Sequence, residues 1–199
     1  LVGGSDGRGV IAFNKSTGEE IWKALSLTGD IGYGVPVIYP IGKAGRRQLI
    51  IWHSRAVVGL DPEDIQGLDV LYEFRSGFYN GSMLLQLGED KASVVWKSTS
   101  KGNQDSVMPD KTVDLHSIMP TPVIKGGHIY GVCSYGEFRC LKADTGKRVW
   151  ATHEPTTGKS TRWGNAFIVQ NHDRYFLSNE LGELIICELS PEKYTEVSR

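Results

Sequence analysis

Two segments of this chain are near-copies of each other. Residues 12–22 read Ala12-Phe13-Asn14-Lys15-Ser16-Thr17-Gly18-Glu19-Glu20-Ile21-Trp22, and residues 140–150 read Cys140-Leu141-Lys142-Ala143-Asp144-Thr145-Gly146-Lys147-Arg148-Val149-Trp150. Each has a Thr-Gly turn with a Trp four residues after the Gly. A strand–turn–strand unit that repeats and closes on an aromatic is a signature of stacked β-sheet modules. Such a repeat constrains architecture strongly and chemistry weakly.

Fainter copies follow the same plan. The run Val57–Pro62 leads to Tyr72, Ser82–Leu87 leads to Trp96, and Leu184–Pro191 leads to Tyr194. The closing aromatics are then Trp22, Tyr72, Trp96, Trp150 and Tyr194, at intervals of 50, 24, 54 and 44 residues. All but the second interval lie near the about 40–50 residues of a four-stranded propeller blade. A second motif precedes three of the units: Tyr33-Gly34-Val35-Pro36-Val37-Ile38, Met119-Pro120-Thr121-Pro122-Val123-Ile124 and Trp163-Gly164-Asn165-Ala166-Phe167-Ile168. These are extended runs punctuated by Gly or Pro. Proline fits a first strand with a free edge better than a central one.

The expected fold class is therefore all-β, a β-propeller of four-stranded antiparallel blades in a single domain, 1–199. Its parts are a partial blade 1–28, a blade 29–75, a short blade 76–98, a loop 99–115, a blade 116–154 and a blade 160–199. Within 116–154 the expected strands are Ser117–Lys125, His128–Ser134, Phe138–Lys142 and Lys147–Thr152, joined by Gly-containing turns. No segment sustains a helical period, so no helix is expected. The short blade lacks roughly 20 residues of a whole one. The chain holds about four to five blades, and a fragment or an incomplete ring is expected.

Charge is balanced, with 22 basic and 23 acidic residues for a net charge of −1. No basic stripe stands out, so nucleic acid is not an expected partner. No apolar run approaches the about 18 residues of a membrane helix, so no span is expected. There are three cysteines. Cys133 and Cys140 are expected opposite each other across the turn at 135–137, either as a disulfide or, preferably, as two small buried residues. No Cys/His group has zinc spacing and no Ser sits in a Gly-x-Ser-x-Gly elbow, so neither a metal nor a catalytic residue is expected.

With these residues in view, the chain resembles the PQQ-like (quinoprotein-type) β-propeller repeat family. The likeness rests on 12–22 and 140–150, on Gly32–Ile38 and Ser117–Ile124, and on Ser134-Tyr135-Gly136-Glu137-Phe138-Arg139-Cys140-Leu141. It covers nearly the whole chain except about 75–82 and 99–114. It implies that Trp22, Trp96 and Trp150 each dock one blade on the next, with Tyr72 and Tyr194 as departures. Enzymes of the family use the quinone PQQ, Ca²⁺, a catalytic Asp and commonly a disulfide of adjacent cysteines. This chain has no Cys-Cys pair, and the calcium and catalytic positions do not map onto its residues. It is similar instead to the non-enzymatic branch, which includes propeller lipoproteins of bacterial outer-membrane assembly and secreted bacterial propellers. That resemblance implies a binding or scaffold module without a cofactor, in the periplasm, the cell envelope or the secreted fraction, with a protein partner or a glycan. The alternative is a PQQ- and Ca²⁺-dependent alcohol or sugar oxidoreductase.

First strands of a propeller line its axis. Aligning the three first-strand motifs stacks Asp30 with His116 and Ser160, Tyr33 with Met119 and Trp163, and Val35 with Thr121 and Asn165, with Arg162 alongside. The candidate ligand contacts at this channel mouth are Asp30, Tyr33, His116, Arg162, Trp163 and Asn165. An acid, an imidazole, a guanidinium and two aromatics suit a polar ligand. The competing reading is that they pack loops. The segment Thr99–Asp114 is expected to cover the mouth.

Overall fold

A computed structural model describes residues 8–26, 35–41, 43–53, 56–62, 70–75, 81–88, 91–99, 101 and 103–199. These residues are all-β apart from a single 3₁₀ turn, Gln104–Val107. Their strands form five antiparallel sheets, each with its strands in chain order. The first sheet pairs β1 (Arg8–Phe13) with β2 (Glu20–Ser26). The second contains β3 (Val37–Ile41), β4 (Arg46–Trp52), β5 (Ala56–Leu60) and β6 (Val70–Arg75). The third pairs β7 (Met83–Leu87) with β8 (Ala92–Lys97). The fourth contains β9 (Val123–Lys125), β10 (His128–Val132), β11 (Phe138–Lys142) and β12 (Arg148–Thr152). The fifth contains β13 (Ala166–Asn171), β14 (Arg174–Asn179), β15 (Leu184–Leu189) and β16 (Tyr194–Ser198). The chain divides into two compact units, Leu1–Gly77 with Gln86–Ser93, and Phe78–Leu85 with Val94–Arg199.

The two near-copies fold alike. Asn14 N–H donates to Glu19 O at 2.8 Å and Gly18 N–H to Asn14 O at 2.8 Å, while Lys142 N–H donates to Lys147 O and Gly146 N–H to Lys142 O, both at 2.9 Å. Gly18 and Gly146 take φ of 77° and 69°, a conformation that costs other residues strain. Beyond each turn the ladder slips by one residue. Trp22 pairs with Ala12 and Trp150 with Cys140, and in the same way Tyr72 pairs with Gly59. Ile21, Leu71 and Val149 are skipped, as bulged residues are. In the fifth sheet the skipped residue is Val197, so the position after the bulge is Ser198, opposite Ile186. Tyr194 pairs with Leu189, on the turn side of the slip, and does not share the register of Trp22 and Trp150.

In the second unit the fourth sheet is covered on both faces. Ile129 and Leu141 pack with Leu115 and Cys133 beneath Trp96. On the other face Tyr130, Val132, Phe138 and Cys140 pack against Tyr175, Leu177, Ile185, Cys187 and Leu189 of the fifth sheet. The rings of Trp150 and Tyr194 meet Phe138 edge-on, at centroid distances of 5.5 and 6.0 Å. In the first unit Val10 packs with Leu49, Ile51, Ala56, Val58 and Leu60, with Trp22 on the same cluster.

Three expectations change. The first strand of the fourth sheet is only Val123–Lys125, because Pro120 and Pro122 cannot donate to a ladder. No helix is expected, but the otherwise irregular 99–114 segment contains the 3₁₀ turn, and it buries Val107, Thr112 and Asp114. Cys140 lies opposite Tyr130, whereas Cys133 N–H donates to Glu137 O inside the turn. The two thiols therefore do not face each other, and all three cysteines are free and buried.

Candidate functional site

The loops of the second unit converge on the β10–β11 turn. The anchor is Arg139, whose side chain is fully buried. On β11 it alternates with Phe138 and Cys140 and so points to the opposite face from the inter-sheet core. Its Nε donates to Glu137 Oε2 at 2.5 Å and its Nη1 to Thr112 Oγ1 at 2.7 Å. Nη1 also donates to the Asp114 carbonyl, and Nη2 to the Pro109 carbonyl at 3.2 Å. Arg148 shares Glu137 at 3.2 Å. A buried guanidinium is tolerable only when its charge and its N–H groups are met in this way. The result is a strap that holds 109–114 against the sheet.

That burial shapes the neighbouring groups. Desolvation, and then the Arg139 charge, hold His116 down to about 4. Burial raises Asp114, against opposing contributions from Ser98 and Arg139. His116 N–H donates to Cys133 Sγ at 3.3 Å. Both ring nitrogens of His116, together with Asp114 Oδ1 and Ser134 Oγ, are buried without a hydrogen-bond partner.

Backbone bonds carry the chain from His116 to the Trp163 corner. Ser134 N–H donates to His116 O at 2.9 Å, and Trp163 N–H donates to Ser134 O at 2.7 Å. Thr161 N–H reaches Tyr135 O at 3.0 Å. The two loops touch through glycines, since a Cβ on Gly164 would stand 3.1 Å from Gly136 Cα. Asn165 Nδ2 closes the corner, donating to Trp163 O at 2.7 Å and Glu180 Oε1 at 2.9 Å. Trp163 is held at a φ of 65° and stays 40% exposed. The Arg162 guanidinium lies 4.8 Å from its ring centroid.

The six candidate contacts therefore separate. Arg162 and Trp163 are exposed and stacked on each other. His116 and Asn165 are closed off from solvent, at 2% and 3% exposure, and serve the loop framework. Asp30 and Tyr33 lie outside the described residues. Of the closing aromatics, Trp96 Nε1 donates to Ala143 O at 2.7 Å and Trp150 Nε1 to Ser190 O at 3.0 Å, in each case to the following sheet. The side chain of Tyr72 also lies outside what is described. Sequence reasoning missed Arg139, Thr112 and Asp114. The available signal was Glu137 and Arg139, opposite charges two residues apart where the apolar residues Phe138, Cys140 and Leu141 begin a strand.

A cleft of about 460 Å³ opens beside the strap, with Lys101, Asp105 and Lys111 on its walls together with the buried Thr112 and Asp114. Among the described residues no group of three or more His, Cys, Asp or Glu is placed to hold a metal ion. No described helix is long and apolar enough to cross a membrane. The sequence matches no protein-family model and no curated protein.

Proposed function

We propose that the chain is a β-propeller of PQQ-like repeats acting as a non-catalytic binding or scaffold module in a bacterial cell envelope or secreted setting. Its contact point is the Arg162–Trp163 corner, and its partner is a protein segment or a glycan. Two recurring features support the architecture. Trp96 and Trp150 grip the following sheet by the same indole-to-carbonyl bond, and one bulge recurs between the last two strands of every four-stranded sheet and between the two strands of the first hairpin.

The observation that carries the function is Trp163. A bulky residue in the left-handed region is strained, and such strain persists where the surroundings over-determine it. Here Asn165, Ser134 and the glycine contact fix the backbone, and the indole is presented to solvent with a cation on it. A rigid aromatic with an adjacent guanidinium offers stacking and charge at low entropic cost. The buried polar groups nearby hold loops in place.

The test is calorimetry with a panel of envelope oligosaccharides and a panel of extended peptides, on the wild type and on Trp163→Ala. The expected result is a ligand whose affinity falls by about tenfold or more in the variant, with an unchanged melting temperature. Absence of binding across both panels removes the reading. Dye-linked alcohol oxidation on adding PQQ and Ca²⁺ would replace it with the oxidoreductase.

A further inference from the structure

The fifth sheet buries only one of its faces. In the fourth sheet every residue from Ile129 to Val132 and from Phe138 to Leu141 is buried, because neighbours cover both sides. In β14 and β15 burial alternates instead. Tyr175, Leu177, Ile185, Cys187 and Leu189 face the inter-sheet core. The opposite face carries two lateral rows. One is Val169–Phe176–Ile186 and the other is Phe167–Ser178–Leu184. Phe167, Val169 and Leu184 are 48%, 63% and 59% exposed, and Phe176 and Ile186 are half-buried. Beyond the first row, one step past the Tyr175–Cys187 pair, the same register carried on would set Arg174 beside Glu188, both exposed. A contiguous apolar patch with a charged margin marks an interaction surface.

The register says what kind of partner it is. Where the fourth sheet offers this same face to its neighbour, Trp150 stands after the bulge and hooks the Ser190 carbonyl. Here the residue after the bulge is Ser198, too short for that reach. The face is instead matched to itself, being an apolar row beside a row with Ser178 at its centre, with a cation and an anion at one end.

We propose that this face docks a second copy of the chain, sheet on sheet, about a twofold axis running along the strands between β14 and β15. That axis lays Phe176 over the partner's Ile186 and Arg174 over the partner's Glu188. Isologous contacts of this kind need one self-complementary patch, and aligned sheet packing supplies the geometry. The proposal needs only the fourth and fifth sheets.

Sedimentation equilibrium on the 199-residue chain tests it. The expected result is a reversible monomer–dimer equilibrium, shifted roughly tenfold or more to higher concentration by Val169→Asp, with near-UV circular dichroism unchanged. Arg174→Glu and Glu188→Arg should each weaken the dimer, and the double exchange should restore it, an outcome that mere stickiness cannot give. A monomer at all concentrations, aggregates without defined mass, a dimer indifferent to Val169→Asp, or no rescue by the double exchange would each overturn the proposal.

Discussion

Gly146→Ala is expected to be far more harmful than its turn position suggests. An Ala at a φ near +69° carries about 1–2 kcal/mol of backbone strain. Gly182, with a φ of 78° and open space around its missing side chain, isolates that cost in the same unit. At Gly146 a Cβ would stand 2.9 Å from Cδ2 and Cε3 of Trp96. The indole must tilt, and its 2.7 Å bond to Ala143 O goes with it. Overpacking of this kind costs about 1–3 kcal/mol and the bond about 0.5–1.5 kcal/mol. Gly146→Ala should therefore destabilise the second unit by roughly 3–5 kcal/mol, against about 1–2 for Gly182→Ala. Urea unfolding followed by circular dichroism measures both. In a Trp96→Leu background the excess should vanish. Equal costs for the two glycines, or an excess that survives Trp96→Leu, would refute the placement of Trp96 on the turn.

Other perturbations follow from the strap. Arg139→Met leaves Glu137 without its buried partner and removes the donors to Thr112, Asp114 and Pro109, for a loss of about 3–5 kcal/mol. Hydrogen exchange should quicken at 109–116 before it does in β10 and β11. His116 is held neutral with a pKa of about 4 against 6.5 unfolded, so its contribution is full above pH 6.5 and is lost as pH falls toward 4, about 3 kcal/mol at most. Asp114, raised by burial, acts with the opposite sign: the stability it costs at neutral pH is regained as pH falls through its folded pKa. His116→Asn should flatten the loss between pH 6.5 and 4, read from urea midpoints. A profile identical to wild type would show that His116 does not titrate with folding.

Much of the sheet plan was legible because it is local. The Thr-Gly turns, the strand runs around 128–142 and the two-strand unit at 83–97 each follow from a few adjacent residues. What escaped was set by parity or by distance. A bulge breaks the period of two, which spacing alone does not report: Tyr194 stands 44 residues after Trp150, yet Ser198 holds the register that Trp150 has. Pro120 and Pro122 were read as strand punctuation, although their missing N–H groups end the pairing. The candidate contacts were aligned from three similar runs, and similarity of runs does not report depth. Both His116 and Trp163 bond the Ser134 backbone, yet His116 is 2% exposed and Trp163 40%. Arg139 was invisible as an anchor because three of its four acceptors lie 25 to 30 residues earlier in the chain.

The placement of the sulfur atoms gives the chain an internal clock. Cys140 and Cys187 lie in the layer between the fourth and fifth sheets, and Cys133 sits under the 116 segment. Burial pushes all three thiols up, Cys187 to about 12, so none offers an appreciable thiolate to an oxidant or an alkylating reagent while the sheets stay together. Labelling by maleimide should therefore proceed at the pace at which those layers part. The protein would record its own breathing in the order its cysteines become modified, and it would be indifferent to the redox state of its surroundings for as long as it stays shut.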